Sequence, residues 1–527
     1  MKQKLYLNAH FHTLDPAKPQ AEALLVEGEQ ISAVGSVQEL RALARPGVRE
    51  IDLENLTVIP GLTDAHIHSA GFARDMTTVD LRAARSLEEA LAAVSLHAAG
   101  LPEGAWVFGG RWDSNTWSVP VQPTRHDLDT ICPDRPVALP SIDGHTVWAN
   151  SLALAAVGIG RDIVDPVGGQ IVRDSDGEPT GILRESASYP LRDLMNSPLS
   201  GRLDDQLVAA QRHLLSLGLT TIHDIDGEDC REAYLQLKEA GRLQLRVHKS
   251  IPMVALEQAI AEGRKTGQGD RWFSTGPVKV FTDGALGSHS CHMSQPFPGE
   301  GQNYGIEVTP YKRLEELVTR ADRAGIAVAC HAIGDQANHL VLDAYQQLPR
   351  DGSSSGLRHR IEHTQHLQRA DVARLAALNV VASMQPTHCT SDIPLADSLL
   401  GDRQLASYAW RSLLDAGAVV AFGSDAPVED PNPFHGIHAA LTRQDSQGLP
   451  PEGWQAAERL DLDQVLHAYI ASPAYAAGEE QWKGRLSPGM LADFIALDTD
   501  IFSAAPEQIR TTAVRTTVVG GEIRYQG

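Results

Sequence analysis

The chain has 527 residues, 42% of them hydrophobic and 21% charged, which fits a soluble α/β protein too long for one small core. A formal net charge of −22 argues against nucleic acid or an anionic membrane as a partner, and no run of about 18 apolar residues marks a membrane span. Five scattered cysteines without a C-x-x-C, and an N-terminus without an apolar stretch or a small-residue cleavage site, point to reduced thiols and a cytoplasmic location.

The chain opens with alternating runs, "KLYLNAHFHTLD", "EALLVEGEQISAVGS" and "VREIDLENLTVIPG", which predict short strands joined by glycine turns. "GRLSPGMLADFIALDTD" and "AVRTTVVGGEIRYQG" repeat the pattern at the other end. Residues 1–55 and 485–527 are therefore expected to build one small β-sandwich. Between them, 56–484 carries eight β-branched runs separated in several places by helical stretches: "VIPGLTDAHIH", "GLTTIHD", "LQLRVHKS", "GPVKVFTDG", "GIAVACHAIGD", "LRHRIEHTQ", "VVASMQP" and "AVVAFGSDAP". Eight such units predict a TIM-type (β/α)8 barrel. The first two runs are far apart, so 71–203 reads as an insertion on the active-site side. "RDGSSSG" (350–356) reads as a flexible loop.

Chemistry in such a barrel lies at the C-terminal strand ends. The first run ends with His66 and His68, two residues apart and so on one face, able to meet one metal ion. The fourth carries Lys279 between Val278 and Val280, with the lysine turned inward. The fifth ends at His331, the sixth at His363 and the eighth at Asp425. His10 and His12 repeat the H-x-H spacing but fall in the β-domain, so position rather than spacing singles out the second pair.

The pieces "PGLTDAHIH", "GHTVWANS", "GILRE", "VKVFTDGALGS", "HAIGDQAN", "RIEHTQ" and "GSDAPV" run in order from residue 60 to 428. In this the chain resembles the amidohydrolase superfamily, and within it the YtcJ-like branch that includes N-substituted formamide deformylases. The resemblance implies a binuclear metal site, commonly zinc, with manganese, cobalt or iron as alternatives. His66, His68 and Asp425 would bind one ion, and His331 and His363 the other. Lys279, as a CO2-derived carbamate, would bridge them. Imidazole and carboxylate suit such ions. Two ions can activate a hydroxide and polarise a carbonyl, and Asp425 can shuttle the proton to a departing amine.

The expected activity is hydrolysis of a non-peptide C–N bond, most simply an amide, in a small molecule. Hydrolysis of an ester, lactone or cyclic imide at the same metals stays open, as do a metal-dependent lyase or isomerase and a non-catalytic scaffold. A homodimer is one assembly open to it. His145, Trp148, Asn150, Glu185, Trp112 and His289 are candidate substrate contacts, each with a plain packing or loop role as rival, and Trp117 is a further candidate pocket wall. Asp335 is a candidate support for His331 or a helix cap. Asp425 too has a rival role as a helix cap. His223 and His248 end the second and third runs as rim residues.

Overall fold

The computed structural model describes residues 3–527 except 115–116, 120, 142–145, 167, 196–201, 349–355 and 402. The chain forms two compact units, Met1–Ser69 with Gln211–Gly527, and Ala70–Ala210.

The larger unit contains an eight-stranded parallel sheet made from the eight runs read in the sequence. Its strands are β1 (Leu62–Ile67), β2 (Leu219–Asp224), β3 (Arg246–Pro252), β4 (Phe273–Phe281), β5 (Val328–Ala332), β6 (Arg360–His363), β7 (Val381–Met384) and β8 (Val420–Phe422). Each pairs in parallel with the next. Such strands are covered on both faces, which is why they read as short β-branched runs. The sheet returns on itself just beyond β8: Asp425 N–H donates to the His66 carbonyl at 2.7 Å and His68 N–H to Ala426 at 2.9 Å. Gly423 lies at this seam, where a Cβ would stand 2.5 Å from the His66 nitrogen and 2.7 Å from Asp64 Oδ1. This is the TIM-type barrel. Helices cover it, and Tyr311–Arg323 buries Leu314, Leu317, Val318 and Ala321 at helical spacing.

The chain ends form one continuous seven-stranded sheet rather than two separately paired layers. In order its strands are Glu522–Gln526, Val514–Val519, Phe494–Leu497, Arg49–Pro60, Gln3–His12, Gln20–Glu27 and Gln30–Gly35. Backbone bonds from Ile31 N–H to Met490, Gly489 N–H to Ile31 and Ala492 N–H to Glu29, each 2.8 Å, curl it over a core containing Tyr6, Phe11, Leu24 and Phe494. One long apolar run therefore serves two sheets. Val58–Pro60 pairs with the C-terminal segment, the chain turns at Gly61, and Leu62 starts the barrel. A Cβ at Gly61 would lie 2.3 Å from the Thr220 side chain. The break thus falls at Gly61, not at residue 55.

The second unit, Ala70–Ala210, has its own six-stranded sheet. Alternation along its strands divides two apolar clusters: Val107, Leu139 and Trp148 belong to one, Phe108, Ala138 and Val147 to the other. Most of the 350–356 segment lies outside the described residues.

Candidate metal centre

The barrel strands deliver the expected rim residues to one place. His66 lies on β1 and His68 one residue past it; Lys279 is on β4, His331 on β5 and His363 ends β6. Asp425 follows β8, with φ +58°, and His363 has φ +75°. Left-handed backbone at such residues costs about 1–3 kcal/mol and persists where the surroundings over-determine it. No helix starts at Asp425 for it to cap, since the next begins at Pro433 and is capped by Asn432.

The fit to a metal shows in how each imidazole is held. A histidine ligand usually has its second ring nitrogen tied to a carboxylate, carbonyl or amide. His66 Nδ1 meets Glu362 Oε2 at 2.6 Å, His68 Nδ1 meets Asp226 Oδ1 at 2.9 Å, and His363 Nδ1 meets Gln385 Oε1 at 2.9 Å. His331 is tied through the other atom: Nε2 reaches the Gly284 carbonyl at 3.2 Å and Asp283 Oδ1 lies at 3.5 Å. This leaves Nε2 of His66, His68 and His363, and Nδ1 of His331, as the remaining donors. His66 Nε2 and His68 Nε2 lie 3.4 and 3.5 Å from Asp425 Oδ1, and Lys279 Nζ is 3.4 Å from His66 Nε2. Ligand atoms of His66, His363 and Asp425 all fall within 4.8 Å of one another. The set fits divalent ions.

Electrostatics favour the same use. Burial, then the charge on Lys279, lowers His331 to about 3, and burial with neighbouring His331 holds His363 well below the usual histidine value. Both are thus neutral, the form that coordinates. Burial would lower His68, but the Asp226 hydrogen bond and charge leave its pKa raised. Burial also lowers Lys279 to about 8, against the pull of Glu362 and Asp425. Its neutral amine, the form that takes up CO2, is correspondingly more populated. Burial would raise Asp425, yet the His66, His363 and His388 imidazoles hold it well below the usual carboxylate range.

Several supports were not read from the sequence. Glu362 is fully buried and joins Arg360 Nε at 2.8 Å as well as His66. Asp226 is held beside Asp224, which pairs with Lys249 at 3.0 Å and accepts from the Ser69 N–H at 3.0 Å. Asp224, Asp226 and Cys230 also form a close donor group; with the Lys249 ammonium already against Asp224, it is a brace for His68. His388 follows β7, lies 3.8 Å from Asp425 Oδ2 and stacks on His363 at 6.0 Å. The signal was the absence of any rim residue from the seventh strand, with a histidine four residues beyond its end.

A cavity of about 300 Å³ covers the centre, lined by His68, Lys279, His331, His363, His388 and Asp425 among others. The loop after Lys279 contributes Ala285, Leu286 and Gly287. His289 pairs with Glu300 and stacks on Phe297. Asp335 accepts the Ser294 N–H at 2.9 Å and opens the helix Asp335–Gln346, so Asp283 takes the place beside His331 foreseen for it. His223 and His248 are buried inside the barrel, bonded to Arg360 and Ser274, rather than on its rim. His12 stacks on Phe502 in the terminal sheet, away from these residues.

In the second unit, the candidate contacts have structural tasks. Trp112 donates to the Leu139 carbonyl at 2.9 Å and Trp148 to Thr124 at 2.8 Å, both in the buried cluster that also holds Trp117. Asn150 caps the helix Ser151–Ala156 and bonds Val137, Cys132 and Arg135. Packing and capping read like pocket motifs in sequence. Glu185 ends the strand Pro179–Glu185, exposed and with φ +49°. His145 lies outside the described residues.

The sequence profile described as the amidohydrolase family matches residues 49–525. The chain belongs to that family. It is 32% identical to the putative amidohydrolase YtcJ of Bacillus subtilis (strain 168), over 96% of each chain. It is 29% identical to the N-substituted formamide deformylase of Arthrobacter pascens, over 100% of this chain and 99% of that one. Among solved structures, an uncharacterized metal-dependent hydrolase from Pyrococcus horikoshii OT3 superposes with a TM-score of 0.79 at 25% identity, covering 96% of this chain and 99% of that one. The family implies a divalent metal, and the convergent donor set of this chain agrees with it. No helix of the described residues is long and apolar enough to cross a membrane.

Proposed function

We propose that the protein is a metal-dependent hydrolase that cleaves a non-peptide C–N bond, an amide, in a small molecule. The observation that carries the reading is the set of four imidazoles, each tied back through one ring nitrogen, around Asp425 and Lys279. His66, His68 and Asp425 would hold one ion and His331 with His363 a second, zinc being the natural choice for this donor set. A carboxylated Lys279 would lie between them as an anionic oxygen bridge. When bound, such ions supply Lewis acidity and a water of lowered pKa.

The protein's own part is positional and protic. Asp425 is held ionised against His66, so it can accept a proton from the attacking water and deliver it to the departing nitrogen. Glu362, Asp226 and Gln385 fix the ring orientations that make the centre. The cavity of about 300 Å³ over the centre is of a size for a small molecule. The deformylase relative, by its name, acts on N-substituted formamides, which supports an amide over an ester, lactone or imide. Five unpaired, buried cysteines support a reducing, cytoplasmic setting.

The test is a screen of zinc-loaded protein over formamides, N-acyl amines, carbamates, aryl esters and cyclic imides. Amides or formamides turning over fastest is the expected outcome. Faster turnover of esters than of every amide, formamide and imide would refute the C–N assignment, and faster turnover of imides than of every amide would refute the amide.

A further inference from the structure

Beside the metal cavity lies a larger one, of about 790 Å³, that no step of the hydrolysis uses. The two share Ser391 and Glu429, joined at 2.7 Å from hydroxyl to carboxylate. The helix Pro433–Thr442, which follows β8, lines the larger cavity with His435, His438 and Ala439, whose spacing of three and four puts them on one side. The helix Pro506–Arg510 packs against it and brings Arg510 to the same lining. Ile393, Leu449 and Pro450 add apolar surface.

Two groups here have hydrogen-bonding capacity to spare. His438 is 5% exposed, and neither of its ring nitrogens has a partner among the described residues. They are not sealed inside the protein but open to the cavity. Buried polar groups are nearly always bonded, and an unmatched one is costly. Arg510 is half-buried, donates to the Ser446 carbonyl at 3.1 Å and has no carboxylate partner among the described residues. The carboxylates of the lining are occupied: Glu429 by Ser391, Asp397 by the Trp454 indole at 2.8 Å, and Asp445 by the N–H groups of Gln447 and Leu449. After burial, the charge acting most strongly on His438 is that of Arg510, ahead of Glu507 and Asp445. This end of the cavity is thus locally cationic although the lining as a whole is acidic.

We infer that the larger cavity binds a small molecule with an apolar body and a carboxylate, the carboxylate held by Arg510 and His438 and the body lying against Ile393, Leu449 and Pro450. The carboxylate has two available sources, the far end of a substrate that spans both cavities or a separate ligand, and the recognition chemistry is the same for both. The site itself stands apart from the hydrolase reading; only the first source rests on it.

Crystals of zinc-loaded full-length protein are soaked in para-bromobenzoate and measured at the bromine edge, and binding in solution is titrated calorimetrically beside para-bromobenzamide and para-bromobenzylamine. The expected results are a bromine peak in this cavity and a carboxylate bound about tenfold more tightly than the amide or amine, the scale of a hydrogen bond to a charged group. Arg510→Gln should remove that advantage with zinc content unchanged, and His438→Phe, checked for folding by circular dichroism, should reduce it. A bromine peak only at the zinc ions or outside this cavity, equal affinities for the three compounds, or an advantage untouched by Arg510→Gln would overturn the inference. Alkyl hydroxamic acids with and without a terminal carboxylate identify the source. For a substrate, the carboxylate tightens binding to wild type but not to Arg510→Gln, and the compound displaces para-bromobenzoate. For a separate ligand, it adds nothing and the two bind together. Bromobenzoate bound in this cavity by protein that takes up neither zinc nor hydroxamate would overturn the metal reading and leave this site standing.

Discussion

Glu362 is the most informative residue to perturb, because it touches both the fold and the site. It is 0% exposed, with Oε2 at 2.6 Å from His66 Nδ1 and Oε1 at 2.8 Å from Arg360 Nε. Glu362 Oε2 also accepts from Arg360 Nη2 at 3.1 Å, so in Glu362→Gln one amide oxygen can keep both of those bonds, but the negative charge is lost and the other position becomes a donor. With the oxygen toward His66, the amide NH2 faces Arg360 Nε, donor against donor. Arg360 keeps bonds to Ala65, Ser383 and His223 but loses its buried counter-charge. Removing one partner of a buried pair costs about 3–5 kcal/mol. Loss of a group that orients a ligand lowers metal affinity about 10–100-fold. Denaturant unfolding and zinc competition titration measure the two effects.

The pH dependence has a definite sign. Burial would raise Glu362, but Arg360 and His66 hold it well below its ordinary 4.5. Its stabilising contribution is therefore present above pH 4.5 and is lost as the pH falls below it. The stability gap between wild type and Glu362→Gln should narrow on acidification. A variant with wild-type stability and wild-type zinc affinity would refute the brace assigned to Glu362.

Asp425→Asn should keep its fold and retain some metal but lose about 10²–10⁴-fold in kcat, the range for general acid–base catalysis; near-normal turnover would make Asp425 merely structural. Lys279→Ala should lose two-metal binding and activity together, with acetate or propionate restoring part of both, whereas Lys279→Arg should not respond because its cation fills the space. Chelation should abolish activity and zinc, manganese or cobalt should restore it. His68 is raised above its ordinary 6.5, so protons should begin to displace metal before the pH has fallen that far; affinity flat from pH 8 to 5 would argue against His68 as a ligand.

The barrel was legible because strands covered on both faces read as isolated apolar runs, and the five strand ends bearing His66, His68, Lys279, His331, His363 and Asp425 could be compared directly. The terminal sheet was legible in content but not in its boundary. The run from Leu56 to Leu62 is apolar apart from Thr57, and only the strand pairing and the close approach of Thr220 to Gly61 show where one sheet stops. Glu362 was hidden because a buried carboxylate next to a histidine in sequence carries no mark of which histidine it meets in space; it precedes His363 yet orients His66. Asp226 was hidden because it lies beyond the end of its strand, two residues after Asp224, and meets His68 only in space. The insertion was the least legible. Trp112, Trp148 and Asn150 are aromatic and polar groups in short strands and turns, and the same letters serve a core, a helix cap or a pocket.

The central claim is that these six side chains form a two-ion centre, and anomalous scattering at the zinc edge from crystals of zinc-loaded protein tests it most directly. Two peaks are predicted, about 3.5–4 Å apart, one contacted by Nε2 of His66 and His68 and by Asp425, the other by Nδ1 of His331 and Nε2 of His363, with density for a carboxylated Lys279 between them. No peak among these residues, or zinc bound only elsewhere on the chain, would contradict the account.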